Sequence, residues 1–144
     1  MTATDGALAE RLIREAQVIA VYGVAADPSR PSHEVARYLI DAGYEVYLVN
    51  PTETEIFGRA VYPRLQDVPV HIDVVDIFRR AEFMPEVIHD AIEAGAGAVW
   101  MQLGLVHEGA AATARAAGLE VVMDRCMKIE HARFLAGGGD ARGA

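Results

Sequence analysis

The chain has 144 residues, of which 52% are hydrophobic, so it can form one domain with a sizeable core and is not disordered throughout. Its 13 Lys and Arg against 21 Asp and Glu give a net charge of −8, which argues against general nucleic-acid binding. The single cysteine, Cys126, excludes an internal disulfide, and the five histidines show no metal-ligand spacing. We expect a cytoplasmic protein, because neither a signal peptide nor an apolar run of about 20 residues is present.

The first half of the chain begins with a predicted amphipathic helix, Ala7–Ala16, and a buried strand, Val18–Tyr22. Gly23 ends this strand, and a loop rich in proline and serine leads to Ser32, the predicted N-cap of a helix His33–Ala42. Such a unit directs free N–H groups towards one point, which suits phosphate binding. The pattern alone does not decide whether the loop binds phosphate, since its glycines match neither the dinucleotide fingerprint nor the P-loop.

Strands and helices then alternate along the rest of the chain. The pattern weakens between Pro51 and Pro69, where only a small strand at 60–62 and a helical turn are indicated. This alternation predicts an α/β, Rossmann-like, doubly wound and mainly parallel five-stranded sheet with helices on both faces. It forms one domain, residues 1–136, followed by a flexible Gly-rich tail, 137–144. The predicted elements are strands at 44–50, 72–78, 98–102 and 119–123 and helices at 85–94, 108–117 and 125–135.

Ligands of such sheets bind beyond the carboxyl ends of the strands, so the residues there are the candidates for a site. Asn50 stands where an NAD site usually has an acid, which argues against NAD. Arg30 and Arg79 are expected to contact phosphate, whereas Arg80 is expected to be a surface residue. Phe78 either stacks on a base or belongs to the core. The predicted binding residues are Gly23, Val24, Ala25, Ser29, Arg30, Ser32, Asn50, Pro51, Phe78, Arg79, Gln102 and Gly104.

Cys126 is a possible redox thiol, because it follows Arg125 and lies near the start of the last predicted helix. Both features favour a thiolate. The alternative is a buried and inert cysteine that only packs against the core. No catalytic residue and no metal site are predicted.

In combination, these residues resemble the family of small stand-alone CoA-binding proteins. The similarity runs from about residue 10 to 135 and includes Gly23, 27–33, Val49–Pro51, Val99–Gly104 and 124–126 with 130–131. These proteins share the Rossmann-like CoA-binding domain of the succinyl-CoA synthetase α subunit. The resemblance implies coenzyme A or an acyl-CoA as the ligand, with its diphosphate at the loop 23–32 and its adenosine near residues 50–51 and 78–79.

The sequence departs from the synthetase at two points. The synthetase has a phosphate-binding lysine beyond its second strand, where this chain has Thr52–Glu55, so Arg30, Arg79 or Arg59 would have to hold a 3′-phosphate. Its phosphohistidine lies in a second domain without a counterpart here, so ligase activity is not implied. The expected function is therefore CoA binding without catalysis. The alternatives are a thiol redox enzyme that uses Cys126, a module that binds NADP or another adenine nucleotide, and a regulatory domain with a protein partner.

Overall fold

The computed structural model describes residues 2–139, with side chains from residue 5 onward. The predicted alternation of strands and helices is present, and each predicted helix and main strand is found within a few residues of its expected bounds. The helices are α1 Thr2–Glu15, α2 Pro31–Asp41, α3 Met84–Glu93, α4 Glu108–Ala116 and α5 Met127–Ala136. The strands are β1 Val18–Tyr22, β2 Glu45–Val49, β3 Glu55–Ile56, β4 Arg59–Tyr62, β5 Val74–Ile77, β6 Ala98–Met101 and β7 Glu120–Val122.

All strands belong to one sheet with the order β3-β4-β2-β1-β5-β6-β7. Every neighbouring pair is parallel except β3 and β4, which form an antiparallel hairpin at one edge. The chain moves from β1 outward to β2 on one side and later returns to place β5 on the other side of β1. The strand order therefore reverses between β1 and β5, the point at which open α/β sheets bind their ligands.

The prediction of five strands was wrong, because the sheet has seven. Of the two additional strands, β4 corresponds to the small strand indicated at 60–62, whereas β3 was not predicted. They contain only four and two residues, and Glu55, Arg59 and Ala60 are exposed. Such a short hairpin contains too few apolar positions to produce the alternation that identifies a strand. Its turn is formed by Phe57 and Gly58, which both have positive φ angles, 58° and 71°.

The helices cover both faces of the sheet, as predicted. On one face, α1, α2 and α5 pack over a buried cluster that contains Ile13, Leu39, Trp100 and Met127. On the other face, α3 and α4 pack over a second cluster that contains Ile88 and Met101. Because of this packing, β1, β5 and β6 are almost completely buried between the two layers of helices. None of the helices in the described part of the chain is long and apolar enough to cross a membrane.

The first and last predicted helices that follow a strand end have boundaries that differ slightly from the predicted ones. Ser32 is not the N-cap of α2: the helix begins two residues earlier than predicted, at Pro31, and Arg30 occupies the N-cap position. Proline suits the first helical position because it has no N–H to satisfy, and Ser32 is thereby moved into the first turn. At the other end of the chain, Gly137 is the C-cap of α5. Of the predicted tail, residues 140–144 lie outside the described residues.

Candidate functional site

A cavity of about 650 Å³ opens at the carboxyl ends of β1, β2, β5 and β6, at the point where the strand order reverses. We refer to it as the central cavity. Nine of the twelve predicted binding residues line it, namely Gly23, Ala25, Arg30, Ser32, Asn50, Pro51, Phe78, Arg79 and Gln102. The remaining lining residues are Tyr22, Pro31, Thr52, Arg80, Leu103 and Leu105.

Gly23 forms the floor of the cavity between β1 and β5. Its φ angle is +84°, and a Cβ atom at this position would lie 2.1 Å from the carbonyl oxygen of Phe78. Its own N–H donates to the carbonyl oxygen of Val49 at 2.8 Å. Only glycine allows the backbone to pass so close to the end of the neighbouring strand, so Gly23 brings the loop that follows it into contact with the cavity.

The loop between β1 and α2 is fixed by its own side chains. The Ser32 Oγ accepts a hydrogen bond from the Ala25 N–H at 2.9 Å, and the His33 Nδ1 lies 3.0 Å from the Ala25 carbonyl oxygen. The Asp27 carboxylate accepts from the N–H and the hydroxyl of Ser29, and these two bonds lower the pKa of Asp27. The loop is thus preorganised in front of the α2 N-terminus, where the helix dipole places partial positive charge.

Asn50 holds two loops together at the edge of the cavity. Its Nδ2 donates to the Val24 carbonyl oxygen at 2.8 Å, and its Oδ1 accepts from both the N–H and the hydroxyl of Thr52. Its amide group is therefore engaged with protein partners on both sides. Asn50 therefore holds the cavity wall in place through its bonds to the two loops. No Asp or Glu of the described residues lines the cavity at this strand end, where an NAD site would place an acid for the ribose hydroxyls.

The lining carries positive charge. Arg30, Arg79 and Arg80 line the cavity, whereas no Asp or Glu of residues 2–139 does so. The Arg79 guanidinium lies over the Phe83 ring at 4.0 Å, and the Arg80 Nε lies 3.7 Å from a carboxylate oxygen of Glu82. Arg80, expected at the surface, is thus both exposed and part of the cavity wall. Guanidinium groups beside a helix N-terminus attract anions, and phosphate above all.

Gln102 supplies a neutral polar group at the far wall. The residue is 8% exposed, and its Oε1 accepts no hydrogen bond from the described residues. Buried polar atoms of folded proteins are rarely left without a partner. An acceptor that lines a cavity and lacks a protein donor is suited to an N–H or O–H group of a ligand.

Three predicted binding residues lie just outside the lining. Val24 is fully buried beneath the loop, and Ser29 is exposed and bonded to Asp27. Gly104 has a φ angle of +88°, and its N–H donates to the Asp124 carboxylate at 2.7 Å. Sequence reasoning overlooked Tyr22, Thr52 and Leu105, although each lies at or near the end of a predicted strand. Their position next to the predicted residues was the available signal.

Arg59, a candidate for a 3′-phosphate, lies in β4 outside the lining and donates to the Val46 carbonyl oxygen at 3.5 Å. The central cavity therefore depends on Arg30, Arg79 and Arg80 for its positive charge.

Cys126 occupies the N-cap position of α5 and is only 8% exposed. It belongs to a second cavity of about 510 Å³, the lateral cavity, at the carboxyl ends of β6 and β7. Leu103 lines both cavities. No group of three or more His, Cys, Asp or Glu in the described residues is arranged to hold a metal ion.

Comparison with known proteins gives a consistent picture. The family profile of the CoA binding domain matches residues 17–132. The uncharacterized protein YneT of Bacillus subtilis is 38% identical over 123 residues, which cover 85% of this chain and 91% of YneT. A hypothetical protein from Pyrococcus horikoshii OT3 has a similar structure, with 37% identity and a TM-score of 0.86 over 90% of this chain and 92% of that protein.

Part of a larger enzyme is also similar. The subunit alpha of acetate–CoA ligase [ADP-forming] I from Pyrococcus furiosus is 34% identical over 83 residues. These residues cover 54% of this chain but only 18% of that subunit. The similarity is therefore limited to one segment of the ligase subunit.

Proposed function

Because the chain belongs to the CoA binding domain family, we propose that its central cavity binds coenzyme A or an acyl-CoA, and that the chain has no catalytic activity of its own. One observation carries this proposal: a chain with a net charge of −8 places three arginines and no carboxylate of the described residues around its central cavity. A cleft lined by one sign of charge raises the local concentration of ligands of the opposite sign. The diphosphate and 3′-phosphate of coenzyme A make it such a ligand.

The residues fit the parts of this ligand. The diphosphate would lie at the loop 23–32, where Gly23 gives the backbone close access and the α2 N-terminus supplies the partial positive charge of its dipole. Arg30 and Arg79 would form charge-assisted hydrogen bonds to phosphate oxygens. The adenosine would lie between Pro51 and Phe78, which line the cavity at the ends of β2 and β5, the strands on either side of β1.

The pantetheine arm carries two amide N–H groups and runs away from the phosphates. The Gln102 Oε1 is buried, lies in the cavity wall and lacks a protein donor, so it can accept from one of these groups. This would place the arm across the carboxyl end of β6. A carboxyl or thiol group suited to chemistry on the ligand is absent from the described lining, which supports binding rather than catalysis.

Isothermal titration with CoA and with NAD tests the choice of ligand. We expect CoA to bind at least about tenfold more tightly, which corresponds to about 1.4 kcal/mol. NAD lacks the 3′-phosphate, and Asn50 offers no carboxylate to its ribose. Equal affinities, or a preference for NAD, would contradict the proposal.

Alanine variants test the arginines. Arg30→Ala and Arg79→Ala should each weaken CoA binding by about 1.5–3 kcal/mol through the loss of a charge-assisted bond. Arg37→Ala is the matched control, because Arg37 is exposed on α2 and does not line the cavity. The melting temperatures of all three ligand-free variants should stay close to that of the original protein. Normal binding by Arg30→Ala or Arg79→Ala would remove that residue from the site.

A further inference from the structure

We propose that the lateral cavity is a binding site for the acyl group of an acyl-CoA, and that it selects an uncharged aliphatic chain. The inference rests on the proposed function, since the central cavity would hold the nucleotide part of the same ligand. The two cavities share one residue, Leu103, which follows β6 and separates them. A ligand that passes the end of β6 therefore enters the lateral cavity once it crosses Leu103.

The boundary between the cavities is a fixed turn. The Leu105 N–H donates to the Gln102 carbonyl oxygen at 2.8 Å, and the Gly104 N–H donates to the Asp124 carboxylate at 2.7 Å. The Asp124 N–H in turn donates to the Leu105 carbonyl oxygen at 3.2 Å. These bonds fasten the turn after β6 to the end of β7. Leu103 is thereby held 60% exposed at the tip of the turn, as a fixed apolar surface between the two cavities.

The lateral cavity concentrates exposed apolar side chains. Four large hydrophobic residues of the described chain are exposed, and three of them, Leu103, Val106 and Ile129, line this cavity. Met123 and the buried Cys126 complete its apolar part. Exposed apolar side chains gathered at one cavity indicate a ligand or partner that covers them. The continuity with the central cavity favours the far end of the same ligand.

The charges of the lateral cavity argue for an uncharged acyl group. Four carboxylates line it, Asp5, Glu108, Asp124 and Glu130, against two arginines. Both arginines are paired with Glu130, since nitrogen atoms of Arg125 and Arg133 lie 3.4 and 2.8 Å from its oxygens. A negatively charged acyl group, such as that of a dicarboxylic acid, would meet excess negative charge there. An aliphatic chain would instead cover Leu103, Val106 and Ile129.

Isothermal titration with CoA, hexanoyl-CoA and succinyl-CoA tests the inference. Hexanoyl-CoA should bind about tenfold more tightly than CoA, because several methylene groups leave water. Succinyl-CoA should show no such gain. Ile129→Ser should reduce the hexanoyl gain by about threefold while the affinity for CoA stays the same.

Val70→Ser is the matched control. Val70 is the fourth exposed hydrophobic residue, 41% exposed, and lines neither cavity, so this variant should retain the full hexanoyl gain. If hexanoyl-CoA binds no more tightly than CoA, or if Ile129→Ser retains the full gain, the inference is wrong although CoA binding stands. A gain with succinyl-CoA as large as that with hexanoyl-CoA would also overturn it. If none of the three ligands binds, the proposed function itself fails and the inference fails with it.

Discussion

The central and lateral cavities lie side by side at the same edge of the sheet, yet their linings have opposite character. The central cavity has three arginines and no described carboxylate, and the positive end of the α2 helix dipole lies beside it. The lateral cavity has four carboxylates, two arginines and a cluster of exposed apolar side chains. The first is suited to a polyanion and the second to an apolar group.

The difference follows from which strands end at each cavity. The central cavity surrounds the reversal of strand order between β1 and β5, where neighbouring loops separate and leave a crevice. The lateral cavity lies where β6 and β7, consecutive neighbours, end beside the first turn of α5. General rules for α/β folds predict the first place and not the second. The second is recognised only from the side chains that the structure leaves exposed there.

The largest effect is expected for Gly23→Ala. Gly23 lines the central cavity and not the lateral one. A Cβ atom 2.1 Å from the Phe78 carbonyl oxygen forces the two strand ends apart. We expect a loss of about 3 kcal/mol or more in the free energy of unfolding, together with weaker CoA binding. Chemical denaturation followed by circular dichroism measures the first quantity, and titration measures the second.

Gly95→Ala separates this steric effect from backbone strain. Gly95 has a φ angle of +73°, similar to that of Gly23, but no atom lies within 4 Å of a Cβ built there. The cost should be only about 1–2 kcal/mol, that of a left-handed residue with a side chain. If both variants lose the same free energy of unfolding, the contact with the Phe78 carbonyl oxygen adds nothing to the cost of the left-handed backbone.

The sequence predicts the central cavity well, because Gly23, Arg30 and Arg79 follow strands that a short apolar run identifies. The sequence does not predict features whose pattern spans only a few residues, or features whose position is set by tertiary packing. The hairpin of β3 and β4 is too brief to show a period of two. Whether Arg80 lies at the cavity or away from it depends on the path of the chain after β5, which no local pattern fixes. Leu103 likewise resembles any loop leucine until the turn around it is seen.

Asp76 lies in β5, one of the strands that end at the central cavity. It lies in the middle of β5, opposite Val21 and Trp100 on the neighbouring strands, is fully buried, and neither carboxylate oxygen has a hydrogen-bond partner in the described structure. Burial raises the pKa of Asp76 well above its usual range. The folded protein therefore retains a proton that the unfolded chain has lost above about pH 4, and stability falls as the pH rises from there towards the raised pKa.

Asp76→Val should remove this cost. We expect the free energy of unfolding to rise by about 1–3 kcal/mol at pH 7, because an unpartnered polar group is replaced by a side chain suited to a buried strand. The gain should shrink towards pH 4, where the unfolded chain also binds the proton. Urea denaturation at both pH values measures it. A gain of the same size at pH 4 and pH 7 would show that the carboxyl is not held protonated by burial.

Salt should affect the two cavities differently. Raising NaCl from about 0.05 M to about 0.5 M screens the arginines of the central cavity and should weaken CoA binding by about tenfold. The ratio between the affinities for hexanoyl-CoA and CoA should not fall, because burial of an aliphatic chain is not screened by salt. A ratio that declines in parallel with CoA affinity would mean that the acyl group is bound by charge, contrary to the character of the lateral lining.

The smallest effect concerns Cys126, which lines the lateral cavity and is 8% exposed. Burial should make a thiol reagent label it much more slowly in the folded protein than in denaturant. Hexanoyl-CoA at saturation should slow this labelling by a further factor of about two or three, because the acyl group covers the cavity, whereas CoA should change it less. Mass spectrometry of the intact chain follows the reaction, and Cys126→Ser provides the blank. Rapid labelling of the folded chain, or a reducible adduct with CoA disulfide that Cys126→Ser abolishes, would instead favour an exposed and reactive thiol.

Equal protection of Cys126 by hexanoyl-CoA and by CoA would show that the nucleotide part alone closes access to the thiol. The acyl group would then lie outside the lateral cavity.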